Sequence, residues 1–235
     1  MNKNTNVLTV GSRCCGCGAC VAVCPVSCLS MEPDELGFLH PSCAGGGCAS
    51  CGKCTKVCPV VSPSAEDAVE SVRWAKASDK GLRRRSSSGA IFGLLAGVVL
   101  NGGGIVYGAA FSDDCKTVNH VRIDSVDDLD SVMRSKYVQS SISGDVYESL
   151  KDDLTEGRSV LFSGTACQCA AVRNYLTVAK VSLDHLLLID VICHGVPSPR
   201  LWKEWVEHVS REAGAEVDEV NFRSKSTGWL TYSVA

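Results

Sequence analysis

At 235 residues and a formal net charge of −3, the chain has room for one large domain or for a small one and a medium one, and it offers no basic excess that would call for nucleic acid. Its 45% hydrophobic and 21% charged residues are those of a globular protein, and its longest apolar run, Ile91 to Leu100, falls short of the ~20 residues that a membrane span needs. Cysteine sets the chain apart: there are 15, and 11 of them lie between Cys14 and Cys58.

Ahead of Cys14 the only apolar run is Val7 to Val10, shorter than the roughly 7–15 residues of a secretory signal core. The expected compartment is therefore the reducing cytoplasm, where clustered thiols serve metals rather than disulfides.

Two copies of one pattern follow, 34 residues apart. The first is Cys14-x2-Cys17-x2-Cys20-x3-Cys24-Pro25, and the second is Cys48-x2-Cys51-x2-Cys54-x3-Cys58-Pro59. This is the run of a two-cluster bacterial ferredoxin, in which the fourth cysteine of each copy ligates the other cluster. Three cysteines at short intervals wrap a loop around one cubane, and Gly16, Gly18 and Gly52 allow the backbone to approach it. A short helix then carries the fourth cysteine away, and proline ends it. The expected ligand sets are Cys14, Cys17, Cys20 and Cys58 for one 4Fe-4S cluster and Cys48, Cys51, Cys54 and Cys24 for the other. Paired Cys-x2-Cys units also make zinc sites, but zinc has no use for eight cysteines in this duplicated triplet-plus-one arrangement. Cys15, Cys28 and Cys43 fall outside the pattern and read as packing thiols. Between the two copies, Leu29 to His40 reads as a hairpin with Pro33-Asp34-Glu35 near its turn.

Composition changes after Pro59. The expected organisation is a two-cluster ferredoxin-type module over residues 1–61, a proline-bearing linker over 62–71 and a second domain over 72–235. In that domain Ile91 to Leu100 reads as a buried helix and Gly104 to Phe111 as a strand. A helix follows the cap residue Ser143, with Val146, Leu150 and Leu154 at spacing four and Gly157 as its stop. Ser159 to Phe162 reads as a buried strand, Ala166 to Leu176 as a helix, and Leu186 to Ile192 as a strand covered on both faces. Ser198-Pro199 opens a helix that Gly214 closes. Val220 to Arg223 and Trp229 to Val234 read as a strand pair. The predicted fold class is an α+β ferredoxin-like module followed by an α/β domain with a mostly parallel sheet. Because the chain stops just after a strand signal, truncation of a longer protein is the expectation.

Arg83-Arg84-Arg85, followed by Ser86, Ser87, Ser88 and Gly89, precedes the apolar helix; hydroxyls, amides and a positive helix end there form an anion site or, in the plainer alternative, a solvated loop with a serine cap. Ser163-Gly164-Thr165 lies between a strand and a helix at the carboxyl end of the sheet, where open α/β folds bind ligands. Lys136 and Tyr137 are a phosphate contact and a stacking ring, or surface residues. Cys167, at a helix start, and Cys193-His194, past the next strand, read either as neighbours of a cofactor, as ligands of a further cluster, or as free core thiols and a loop histidine.

The stretches 85–89, 135–140, 162–168 and 190–199, in that order behind a two-cluster segment, resemble the coenzyme F420 hydrogenase/dehydrogenase beta-subunit family. The resemblance covers nearly the whole chain. It departs where the family usually has proline and this chain has Ala166, and where the family normally runs on past residue 235. It implies an iron–sulfur flavoprotein oxidoreductase that binds FAD through Arg85, Ser87, Ser88, Gly89, Lys136, Tyr137, Ser163, Gly164, Thr165, Cys167 and Gln168, with Cys193 and His194 as catalytic candidates. Electrons would pass between the clusters and FAD, with hydride exchange to a deazaflavin or another organic acceptor. The implied partner is a ferredoxin or other redox protein, with no nucleic acid and no direct membrane insertion. The alternatives are a non-catalytic ferredoxin-type electron-transfer subunit and an accessory protein.

Overall fold

The computed structural model describes residues 7–43, 47–63, 69–231 and 233–235. In chain order these form α1 (Ala19–Ala22), the hairpin β1 (Ser30–Pro33) and β2 (Leu39–Ser42), α2 (Lys53–Val57), α3 (Lys80–Arg85), α4 (Ile91–Asn101), β3 (Ile105–Phe111), β4 (Val118–Ile123), α5 (Leu129–Val132), α6 (Gly144–Thr155), β5 (Val160–Thr165), α7 (Ala166–Ala179), β6 (Leu186–Val191) and α8 (Pro199–Ala213). Most of the expected elements are present with their expected signals. Ser143 Oγ accepts the amide of Val146 at the start of α6, Ser198 Oγ accepts the amide of Leu201 ahead of Pro199 in α8, and Gly214 ends α8 at φ +65°. In the hairpin, Asp34 Oδ1 accepts the amides of Leu36 and Phe38 and so closes the turn.

The main sheet has the order β4-β3-β5-β6. β3, β5 and β6 run parallel, and β4 joins antiparallel to β3. Strand β4 was not expected: Asn119, His120 and Arg122 interrupt its apolar residues, so it carries no clean alternation. Three differences from the sequence reading have physical causes. Among the described residues β6 is an edge strand, paired only with β5, and it is not covered on both faces, since Leu187 and Val191 are 41% and 51% exposed. Among the described residues the tail holds only an isolated bridge, Ser224 to Ser233, and a paired Asn221–Ala235 backbone. Its Lys225–Gly228 turn, with Gly228 at φ +122°, is flanked by too few ladder residues for a strand pair. Lastly, residues 64–68 of the expected linker lie outside the described residues.

Three apolar clusters fix the architecture. On one face of the sheet, Tyr107, Val160 and Phe162 pack with Tyr147, Leu150 and Leu154 of α6 and Val172 and Leu176 of α7. On the other face, Val106 and Leu161 pack under α4 and α5. Trp202 and Val206 of α8 close the β4 end with Val118 and Val138. The first cluster also contains Cys17, Ala19 and Val57, so the cysteine-rich module shares its core with α6 and α7. Burial of each large side chain in such a core stabilises by about 1.5–3 kcal/mol, and that shared burial fixes the module on the sheet domain.

Polar contacts fix its orientation. Tyr147 donates from its hydroxyl to the Cys17 carbonyl at 2.8 Å, Asn174 donates to the carbonyls of Val57 and Ser62, and the Leu39 amide donates to Gln139 Oε1. Ser198 Oγ donates to the Leu36 carbonyl at the hairpin turn. Gly16 and Gly18, expected to admit a cubane, serve this docking: a Cβ on Gly16 would stand 2.4 Å from Gln139 Nε2, and one on Gly18 would stand 2.6 Å from the Ile142 carbonyl oxygen.

Candidate metal centres

The eight motif cysteines gather around two cavities. The inner cavity, of about 20 Å³, is lined by Cys14, Cys17, Cys20 and Cys58 together with Val7, Val10, Met31, Pro41 and Val60. The outer cavity, of about 50 Å³, is lined by Cys24, Cys48, Cys51 and Cys54 with Leu8, Pro25, Val26 and Leu29. Each cavity thus takes three cysteines from one copy of the motif and the fourth from the other. The two copies are also alike in backbone detail. Gly16 donates its amide to Cys14 Sγ at 3.5 Å, and Ser50 donates its amide to Cys48 Sγ at 3.4 Å. Gly18 and Gly52, with φ of +75° and +70°, stand just ahead of α1 and α2.

The donor set suits a cationic cluster. Burial raises the Cys14 thiol, and the Cys58 sulfur raises it further. Burial pushes Cys20 up to about 12, with Cys14, Cys58 and Cys54 acting in the same direction. In the outer cavity burial raises Cys54, as do Cys51 and Cys48. Four crowded thiolates in a partly apolar wall need positive charge at their centre, which bound iron supplies as the thiol protons leave. Around each cavity, three cysteines of one motif and the fourth of the other make the donor set of a cubane.

The two cavities differ in exposure. Cys17 and Cys20 are buried, whereas Cys48 and Cys51 are exposed. The inner cavity faces the sheet domain through Cys15, which lines it and whose thiol and that of Cys167, at the start of α7, influence each other's ionisation. Thr165 Oγ1 lies 3.1 Å from Cys167 Sγ. Cys28 and Cys43 line the outer cavity. The three cysteines read as packing thiols are therefore cavity-wall residues; their signal in the sequence was their closeness to the motif cysteines.

The residues expected at a flavin are scattered and mostly engaged. Arg85 pairs with Asp130 at 2.7 Å on the surface, and Ser87 Oγ accepts the Ser135 amide at 2.8 Å. Ser88 is exposed, and a Cβ on Gly89 would stand 2.9 Å from the Ala75 carbonyl oxygen. Lys136 Nζ donates to the carbonyls of Ser131 and Met133; burial, with help from Arg134, pulls its ammonium down to about 7. Tyr137 packs edge-on to Phe222. Gln168 joins the two central stretches, accepting the Thr165 amide and donating to Ser140, and the Ser163 carbonyl meets His120 Nε2 at 3.1 Å. Gly164 lies tightly between Gln168 and Phe162. Cys193 and His194 are exposed beyond β6, with the Gly195 amide on Cys193 Sγ at 3.4 Å. Arranged in this way, Ser87, Lys136 and Gln168 brace the sheet domain through internal hydrogen bonds.

Comparison with known proteins agrees with the metal-site geometry. Residues 13–61 match the family model of a 4Fe-4S dicluster domain. Residues 157–234 match the family model for the C terminus of the coenzyme F420 hydrogenase/dehydrogenase beta subunit. The chain is an iron–sulfur electron-transfer protein related to the F420 hydrogenase beta subunit. A chain of the F420-reducing nickel–iron hydrogenase complex from Methanosarcina barkeri is similar, at 18% identity and a TM-score of 0.46; the match covers 68% of the present chain and 57% of that one. A search of curated proteins found no match. The beta-subunit match lies in the third of the chain that holds β5, α7, β6 and α8, the part that Cys15 faces through Cys167. Among the described residues no helix is long and apolar enough to cross a membrane.

Proposed function

We propose that the chain is the electron-transfer part of an oxidoreductase, in which Cys48, Cys51, Cys54 and Cys24 hold an outer 4Fe-4S cluster and Cys14, Cys17, Cys20 and Cys58 hold an inner one. The observation that carries this reading is the pair of cavities, each drawing three cysteines from one motif and the fourth from the other. Bound there, four-iron clusters supply one-electron transfer at potentials that the surroundings tune. The exposure of Cys48 and Cys51 supports the outer site as the place where a ferredoxin-like or other redox partner exchanges electrons, and the burial of Cys17 and Cys20, with Cys15 near Cys167, supports the inner site as the route to α7.

The reading extends to FAD in the sheet domain and to hydride exchange with a deazaflavin or other organic acceptor in the cytoplasm. It is supported there by the beta-subunit match over residues 157–234. Two one-electron centres need a two-electron junction before hydride chemistry, and a flavin supplies it. A second reading, a carrier subunit without flavin, is favoured by the internal hydrogen bonds of Ser87, Lys136 and Gln168.

The test is anaerobic purification with iron, sulfide and flavin measured per chain. About eight irons and acid-labile sulfide, bleached by dithionite, are expected from two four-iron sites. Co-purifying FAD selects the flavin enzyme and its absence selects the carrier; zinc in place of iron overturns both.

A further inference from the structure

The two halves of the module are not equivalent at the crossing cysteine. After Cys24 the chain makes a tight turn, with the Ser27 amide on the Cys24 carbonyl and Ser27 at φ +47°. That turn brings Cys28 back until its Sγ stands 3.6 Å from Cys24 Sγ. On its other side the Cys28 thiol meets that of Cys43, because Cys28 precedes β1 and Cys43 follows β2 at the base of the hairpin, where Ser30 pairs with Ser42. The 34-residue repeat puts Ser62 where the first half has Cys28. The Ser62 hydroxyl turns away from the crossing cysteine Cys58 and donates to the Thr55 carbonyl at 2.9 Å.

We propose that Cys28 is a positioning residue of the outer cluster, donating its S–H to the sulfur of Cys24 and setting that cluster's potential apart from the inner one. This rests on the reading that Cys24 is a cluster ligand. A hydrogen bond to a ligating sulfur stabilises the more negative, reduced state, so the potential rises with each donor. The Cys28 thiol thus gives Cys24 a side-chain donor that Ser62 does not give to Cys58. With clusters bound, Cys28 beside Cys24 would favour electron flow from the site of Cys14, Cys17, Cys20 and Cys58 towards that of Cys24, Cys48, Cys51 and Cys54.

The experiment is potentiometric titration by electron paramagnetic resonance of the intact, cluster-loaded chain and of Cys28→Ala, Cys28→Ser and Cys24→Ala, with iron counted in each. The expected result is full iron in both Cys28 variants, one of the two midpoint potentials lowered in Cys28→Ala and the other unchanged, and recovery in Cys28→Ser, which keeps a donor. Unchanged potentials in Cys28→Ala with full iron overturn the proposal and leave the ligand reading standing. Loss of about half the iron in Cys28→Ala, with Cys24→Ala retaining it, overturns the ligand reading itself, because Cys28 is then the ligand.

Discussion

The hydroxyl of Tyr147 on α6 donates to the main-chain carbonyl of Cys17 at 2.8 Å, and both residues are buried. The bond joins the sheet domain to the loop that lines the inner cavity, across 130 residues of sequence. Tyr147→Phe keeps the ring and its packing against Tyr175 but leaves the carbonyl without its donor, at a cost of about 1–3 kcal/mol. The expected outcome is a lower melting temperature and faster loss of iron to a chelator, with the inner site emptying first.

The crossed ligand sets make a sharper prediction. If Cys14 and Cys58 serve the same cluster, removing both costs no more iron than removing either, whereas removing Cys14 and Cys24 together empties both sites. Cys14→Ala/Cys58→Ala is expected to retain about four irons and Cys14→Ala/Cys24→Ala almost none. The reverse result, about four irons in Cys14→Ala/Cys24→Ala and almost none in Cys14→Ala/Cys58→Ala, would show that the fourth cysteine stays with its own motif.

Asp153 of α6 ties two strands to the helix. Its carboxylate accepts the Tyr107 hydroxyl at 2.6 Å, and Arg122 Nε and Nη2 at 2.9 and 3.2 Å. Burial acts to raise the Asp153 carboxyl, but Arg122 and Tyr107 outweigh it and hold it below its usual value. A depressed carboxyl stabilises the fold above the unfolded value and loses that contribution as pH falls through the folded one. The group therefore adds no slope between pH 5 and 8. Asp153→Asn leaves Arg122 with Asp124 as its remaining acid and is expected to cost about 3 kcal/mol in urea unfolding at pH 7. A cost under 0.5 kcal/mol would place Arg122 among ordinary surface pairs.

Cysteine spacing made the metal sites legible because ligand geometry is local: three sulfurs at fixed intervals and a fourth past a short helix leave little choice of chemistry. The caps Ser143 and Ser198 and the stop Gly214 were legible for the same reason. What sequence could not show was long-range. The stretch 135–140 looked like a ligand loop, yet Gln139 reaches the hairpin and Ser140 reaches α7. Gly16 and Gly18 looked like cluster glycines, yet the groups that crowd them come from residues 139 and 142. Strand β4 went unseen because His120 and Arg122 are buried or half-buried by partners on other elements, Ser163 and Asp153, and no local period records such pairing.

His120 gives the last test. Its ring stacks on Phe162 at 5.1 Å and its Nε2 lies 3.1 Å from the Ser163 carbonyl, while Nδ1 has no partner among the described residues. Burial pulls its pKa from 6.5 to about 4, against the opposing pull of the Ser163 carbonyl. The folded chain therefore keeps the ring neutral, and the unfolded chain takes up a proton first as the solution is acidified. Stability from this group is complete above pH 6.5, falls steadily as pH drops towards 4, and is level below that. The drop amounts to about 3 kcal/mol at 1.36 kcal/mol per unit. His120→Gln does not titrate and retains an amide donor for the Ser163 carbonyl, so its urea midpoint is expected to change much less between pH 6.5 and 4.5 than that of the native chain. Parallel slopes for the two chains over that window would mean that the ring is protonated in the fold, and that a carboxylate or water faces Nδ1.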